Sequence, residues 1–267
     1  MNRTDFLDTA RKAVLTAGRM IAGNTARRHD VSRKSGFDFV TEVDRQSEEI
    51  IRSLIHDAFP DHGFFGEEQV SSGEKSEDRL LEEMPEYFWA VDALDGTTNF
   101  IRGIPQFAVS AALIHRGEIL AGAVYDPSRD ELFSALRDHG AELNGRPIRI
   151  SPAKRLQDAI LSFGFPASDM EMRRQTVERF IRLAPSLGSL RVFNCASLLL
   201  CYTACGRIDV TFEQGIHLWD MAAGLLLVEE AGGIVRAVDG SPLDIHAREN
   251  LAGPEPLIQE LLAAPQS

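Results

Sequence analysis

The stretch WAVDALDGTTNF, residues 89–100, decides how the chain is read. An apolar run ends in Asp92, and a second carboxylate follows at Asp95. Gly96, Thr97, Thr98 and Asn99 come next. The run has the length and composition of a buried strand. A turn would account for Asp95-Gly96, but not for Asp92 directly after apolar residues. Two like charges about 4 Å apart repel by about 4 kcal/mol at an effective dielectric of about 20. Solvent, a shared proton, a basic side chain or a metal must offset that. Strand ends are where α/β proteins display catalytic groups.

Outward from this stretch, short apolar runs continue: FAVSAALIH, ILAGAVY, ELFSAL and PIRI. Turn signals separate them at Arg116-Gly117, Asp126-Pro127, Gly140 and Asn144-Gly145. This predicts an antiparallel meander in the first half. Upstream, Phe6, Ala10, Val14, Ala17 and Ile21 predict a helix over 5–22. Ile50, Ile51, Leu54 and Ile55 predict another over 44–58, with Asp44 at its N-cap and Pro60 beyond its end. Residues 70–86 read as a polar loop with a short helix. From about residue 151 strands and helices alternate: AILSF, helix 169–183, SLRVF, helix 195–205, IDVTFE, helix 219–231 and GIVRAV. That is an α/β pattern. A boundary near 151 divides an N-terminal α+β half, 1–150, from a C-terminal α/β half, 151–267.

The 267 residues are 44% hydrophobic and 25% charged, as in a folded globular chain. No apolar run of about 18 residues is present, so no membrane span is expected. The charged N-terminus lacks an apolar h-region, and a cytoplasmic location is expected. Cys195, Cys201 and Cys205 are odd in number and read as reduced thiols, Cys201 and Cys205 as core packing. The net charge of −12 argues against direct nucleic-acid binding. The basic pairs Arg27-Arg28, Arg33-Lys34 and Arg173-Arg174 read as solvated surface, Lys34 excepted.

Five acidic residues flank apolar runs: Asp44, Glu67, Asp92, Asp95 and Asp220. Asp44 and Asp220 could simply cap helices, and Glu67 could sit in a solvated turn. Together they are hard oxygen ligands with no C-x-x-C or H-E-x-x-H nearby, which suits Mg²⁺, Mn²⁺ or Ca²⁺ rather than zinc. Gly96 and Thr97 add amides able to cradle a phosphate oxygen. The residues thus point to a metal-bridged phosphate site.

The motifs DFVTEVD, GEE, DALDGTTNF and WDMAAG, in this order, resemble the inositol monophosphatase family, one of the Mg²⁺-dependent, lithium-sensitive phosphatases that include fructose-1,6-bisphosphatase. The resemblance implies a layered α-β-α-β-α fold with the site between the halves. It implies that Glu67, Asp92 and the Leu94 carbonyl hold one Mg²⁺, and that Asp92, Asp95 and Asp220 hold a second. A third ion near Glu67, and Mn²⁺ as a substitute, are compatible with it. Thr97, bonded to Asp44, would orient and deprotonate the attacking water, and Glu67 would belong to the same catalytic group. Gly96 and Thr97 would hold the phosphate. Ala196, Glu213 and Asp220 would line the substrate pocket, Glu213 taking a hydroxyl. Lys34 would lie near the phosphate loop. A homodimer is usual for relatives.

The chain departs from the family pattern in three places, one of them a somewhat longer loop from Val70 to Tyr87. Ala93 stands where a proline is usual between the aspartates, which predicts looser loop geometry. Asn194 and Cys195 stand where a glycine and a small hydroxyl residue are usual, on the substrate side. The default substrate is myo-inositol 1-phosphate. Fructose-1,6-bisphosphate, histidinol phosphate and nucleotide 3′-phosphates are handled by relatives. A reading of another class is a regulatory protein acting through protein partners in transcription.

Overall fold

Three apolar clusters organise the chain, one on the outer face of each of two large sheets and one between them. The computed structural model describes residues 2–25, 31–35, 38–71, 76–166 and 169–263. Arg27-Arg28 and the side chain of Lys34 lie outside the described residues. The first half runs α1 (Arg3–Ala22), β1 (Val31–Ser35), β2 (Asp38–Thr41), α2 (Glu42–Ala58), β3 (Gly63–Gly66), α3 (Glu67–Ser71), α4 (Glu77–Glu82), β4 (Tyr87–Asp95), α5 (Thr97–Ile101), β5 (Ala108–His115), β6 (Glu118–Asp126), β7 (Glu131–Leu136), β8 (Ala141–Leu143) and β9 (Arg146–Pro147). The second runs β10 (Ile160–Phe163), α6 (Met170–Leu183), β11 (Ser189–Arg191), α7 (Ala196–Ala204), β12 (Val210–Gln214), α8 (Leu218–Glu230), β13 (Ile234–Arg236), β14 (Glu249–Gly253) and α9 (Glu255–Ala263).

Strands β3 to β9 form one sheet in sequence order. From β4 to β9 it is the expected antiparallel meander, and β3 joins its edge in parallel with β4. Of the PIRI run only Pro147 lies in a strand, β9. The second sheet has the order β11-β10-β12-β14-β13. Its β10, β11 and β12 are parallel, but β14 returns antiparallel to both β12 and β13. The second half is therefore mixed rather than purely alternating.

Helices α1 and α2 bury Ala10, Val14, Ile21, Ile51 and Ile55 against one face of the first sheet. The other face packs on α7 and α8, which also touch Val235 and Ala252 of the second sheet. Those two helices have sheets on both sides, which is why they are apolar nearly all round. The far face of the second sheet packs on α6 and α9 through Phe163, Phe212, Leu257 and Ile258. The order of layers is α-β-α-β-α.

Candidate active site

The two aspartates of the opening stretch are three residues apart, so in a regular strand they would face opposite sides. They do not. β4 pairs with β5 regularly down to Asp92 and Ser110, and the next pair is Asp95 with Ala108. Three steps along β4 match two along β5, a bulge that turns Asp95 to the side of Asp92. The loop is pinned despite Ala93: Ser47 Oγ donates to the Ala93 carbonyl at 2.7 Å, and Asp92 Oδ1 accepts the Leu94 amide at 2.9 Å. The expected looseness is not seen. Gly96 then turns with φ +86°, where a Cβ would stand 2.8 Å from the Gln106 carbonyl, and α5 begins.

Asp44 and Asp220 occupy the same local position on two different helices. Neither is an N-cap. Thr41 caps α2 and His217 caps α8, and each aspartate sits three residues later. Asp44 Oδ2 accepts the Thr41 amide at 2.8 Å, and Asp220 Oδ2 accepts the His217 amide at 2.7 Å. This fixes one oxygen of each carboxylate. Asp44 Oδ1 is 2.9 Å from Thr97 Oγ1, which is also 2.9 Å from the Leu94 carbonyl oxygen. The single hydroxyl hydrogen serves one of them.

Asp95 is held from the second half. Ser197 donates its amide at 2.8 Å and its hydroxyl at 2.6 Å to Asp95 Oδ2, and Cys195 Sγ lies 3.2 Å from the same oxygen. Asn194 has φ +53°, in the left-handed region that asparagine tolerates and glycine adopts freely. It can therefore stand in a glycine's place. Cys195, Cys201 and Cys205 are free thiols.

A cleft of about 410 Å³ opens between the halves. Glu67, Asp92, Leu94, Asp95, Gly96, Thr97, Ala196, Glu213 and Asp220 all line it; Asp44 stands behind Thr97. Glu67 opens α3 rather than a free turn. Burial pushes the Asp92 carboxyl well up, and the charges of Glu67, Asp95 and Asp220 add to it. Burial raises Asp95 too, against the bonds from Ser197 and Cys195. Asp220 is pushed up to about 7, by burial first, with His217 opposing and Asp95 and Glu67 adding. Glu213 is raised well by burial, then by Asp95 and Asp220, and its Oε1 is buried without a hydrogen-bond partner.

The donor set is all oxygen, crowded and anionic, which is what a hard divalent cation relieves. As the side chains are placed, no three His, Cys, Asp or Glu groups among the described residues already form a closed shell. Mg²⁺ asks for less: one or two carboxylates, with water and substrate phosphate completing its coordination. The residues fit such an ion. Sequence reasoning missed Ser197, His217 and Asn99, whose Nδ2 donates to the Gln106, Phe193 and Asn194 carbonyls at 2.8, 2.9 and 3.3 Å. Only Ser197 left a local signal, a small hydroxyl residue beside Ala196.

The chain is 39% identical over 270 residues to Nus factor SuhB of Pseudomonas aeruginosa, covering 98% of this chain and 96% of that protein. It is 37% identical to the inositol-1-monophosphatase of Rhizobium meliloti, covering 98% and 96%. The crystal structure of extragenic suppressor protein suhB from Bartonella henselae superposes with a TM-score of 0.85 at 36% identity, covering 96% of both chains. Among the described residues no helix is long and apolar enough to cross a membrane. The sequence model of the inositol monophosphatase family matches residues 2–267, and the chain belongs to that family.

Proposed function

We propose that this protein is a Mg²⁺-dependent phosphomonoesterase acting on a small polyol or sugar phosphate, with myo-inositol 1-phosphate the default substrate. The observation that carries the reading is the β4 bulge, which faces Asp92 and Asp95 into one cleft with Glu67 and Asp220. In this reading residues 1–150 supply the phosphate side, and residues 151–267 supply Ala196, Glu213 and Asp220. Glu67, Asp92, Asp95, Asp220 and the Leu94 carbonyl would hold two or three Mg²⁺ ions, with Mn²⁺ a substitute and Li⁺ an inhibitor. Such ions, when bound, acidify water to give hydroxide near neutral pH and neutralise the phosphate and its leaving oxygen.

The chain's own groups do the rest. Gly96 and Thr97 present amides at the start of α5 to a phosphate oxygen. Thr97 holds the attacking water with its hydroxyl lone pair and passes its hydrogen bond to Asp44, whose other oxygen is fixed by Thr41. Glu213 accepts a substrate hydroxyl. The test is phosphate release from myo-inositol 1-phosphate, fructose-1,6-bisphosphate, histidinol phosphate and a 3′-phosphoadenosine nucleotide, with and without Mg²⁺ after EDTA treatment. Mg²⁺-dependent release peaking on one ester supports the reading and names the substrate.

The relative called Nus factor SuhB supports a second reading, a regulatory protein working through protein partners in transcription. A folded protein releasing phosphate from none of the four esters would favour it. A homodimer in the cytoplasm suits either reading.

A further inference from the structure

β10 and β12 run parallel, with Phe163 level with Phe212. Their rings lie 4.8 Å apart in the outer core. The residue after each lines the cleft on the other side: Gly164, just past β10, and Glu213 on β12. The Gly164 amide donates to the Phe212 carbonyl at 2.9 Å, so the two backbones stay paired there. A Cβ built on Gly164 would stand 1.4 Å from Glu213 Oε2 and 2.3 Å from its Cδ. The Glu213 carboxylate therefore occupies the space that a side chain at 164 would take. Gly164 φ is not in the left-handed region, so backbone conformation does not call for glycine.

Glu213 Oε1 is buried without a hydrogen-bond partner. A buried acceptor left unpaired costs free energy, so the site demands a donor from what binds. A pocket built to hydrogen-bond a hydroxyl rejects a ligand lacking one far more strongly than an apolar pocket rejects a shape change.

We propose that Gly164 is a specificity-determining residue: its missing side chain seats Glu213 across the pocket floor, and the pair selects phosphate esters that carry a free hydroxyl. This rests on the phosphomonoesterase reading and adds the rule by which its substrate is chosen. Any side chain at 164 would push the Glu213 carboxylate off that seat. The displaced atoms are the far end of a flexible side chain, so the fold has room to respond.

The test compares kcat/KM for myo-inositol 1-phosphate with kcat/KM for p-nitrophenyl phosphate, whose leaving group has no free hydroxyl. In Gly164→Ala the ratio of the two is expected to fall at least tenfold. Glu213→Ala is expected to lower it as far, and adding Gly164→Ala to Glu213→Ala should change it by less than twofold, since the displaced carboxylate is gone. An unmoved ratio in Gly164→Ala overturns the inference. So does a drop that persists in the Glu213→Ala background. If Gly164→Ala does not fold, the double variant decides: refolding there with the Glu213→Ala ratio supports the pair, and a misfolded double variant overturns it. Wild-type protein that hydrolyses neither ester with Mg²⁺ removes the phosphomonoesterase reading itself, a separable result.

Discussion

Asn99 Nδ2 donates to the Phe193 carbonyl at 2.9 Å, joining α5, just past Gly96 and Thr97, to a segment 94 residues later. The same nitrogen serves the Gln106 and Asn194 carbonyls. This amide clips the two walls of the cleft together. Asn99→Leu leaves those carbonyls without it at a buried position. It is expected to cost about 1–3 kcal/mol, read as a lower urea midpoint, and to raise KM more than it lowers kcat. An unchanged midpoint and KM would show that the walls are held elsewhere.

Asp92 is raised by burial and is opposed by three neighbouring carboxylates, Glu67, Asp95 and Asp220. Asp92→Asn removes a charge without removing volume. The EDTA-treated variant is expected to match or exceed wild type in urea stability. Its Mg²⁺-dependent turnover is expected to fall by about 10³-fold, the equivalent of several kcal/mol of lost transition-state stabilisation. Retained turnover would reject Asp92 as a shared ligand.

Thr97 and Asp44 act as one unit through their 2.9 Å bond. Removing a positioned proton acceptor costs about 10²–10⁴-fold in rate. Thr97→Ala and Asp44→Asn are each expected to fall in that range, and the double variant no further than the worse single. Thr97→Ser should recover most of the rate. Additive losses would separate the two residues.

Arg207 meets Glu131 through two hydrogen bonds of 2.6 and 2.7 Å, linking β7 to the turn after α7. The Arg207 guanidinium holds the Glu131 carboxyl below its usual value. A carboxylate lowered on folding stabilises above its unfolded pKa and loses that contribution as pH falls through the folded one. Wild type should exceed Glu131→Gln in urea midpoint at pH 7, and the gap should narrow below about pH 4.5. A gap independent of pH would assign the difference to packing.

The meander and both aspartates of β4 were legible because each signal is local: apolar runs, turn residues, and charge where a strand ends. The bulge was not, since it is a property of how β4 pairs with β5. The capping positions were misplaced by three residues. At α2 the pattern Thr41-x-x-Asp44 was available to read. At α8 it was not, because histidine is not a residue that announces a cap. β14 escaped notice because ENLAG has neither alternation nor a strong apolar run. Its pairing partners lie 35 or more residues upstream for β12 and 15 or more for β13. Asn99 reads as an ordinary helix residue until its partners arrive from the other half.

The irregular step in β4 makes chain length, more than residue identity, the inherited quantity at this site. Position 93 tolerates alanine because its carbonyl is what Ser47 holds, and every residue type has one. Gain of one codon between Ala108 and Ser110 on the facing strand is a different event. It would match three steps to three, restore regular pairing and swing Asp95 out of the cleft, away from Ser197, with every carboxylate still encoded. Among homologous genes, the two-residue gap should outlast the identity of the residues that fill it.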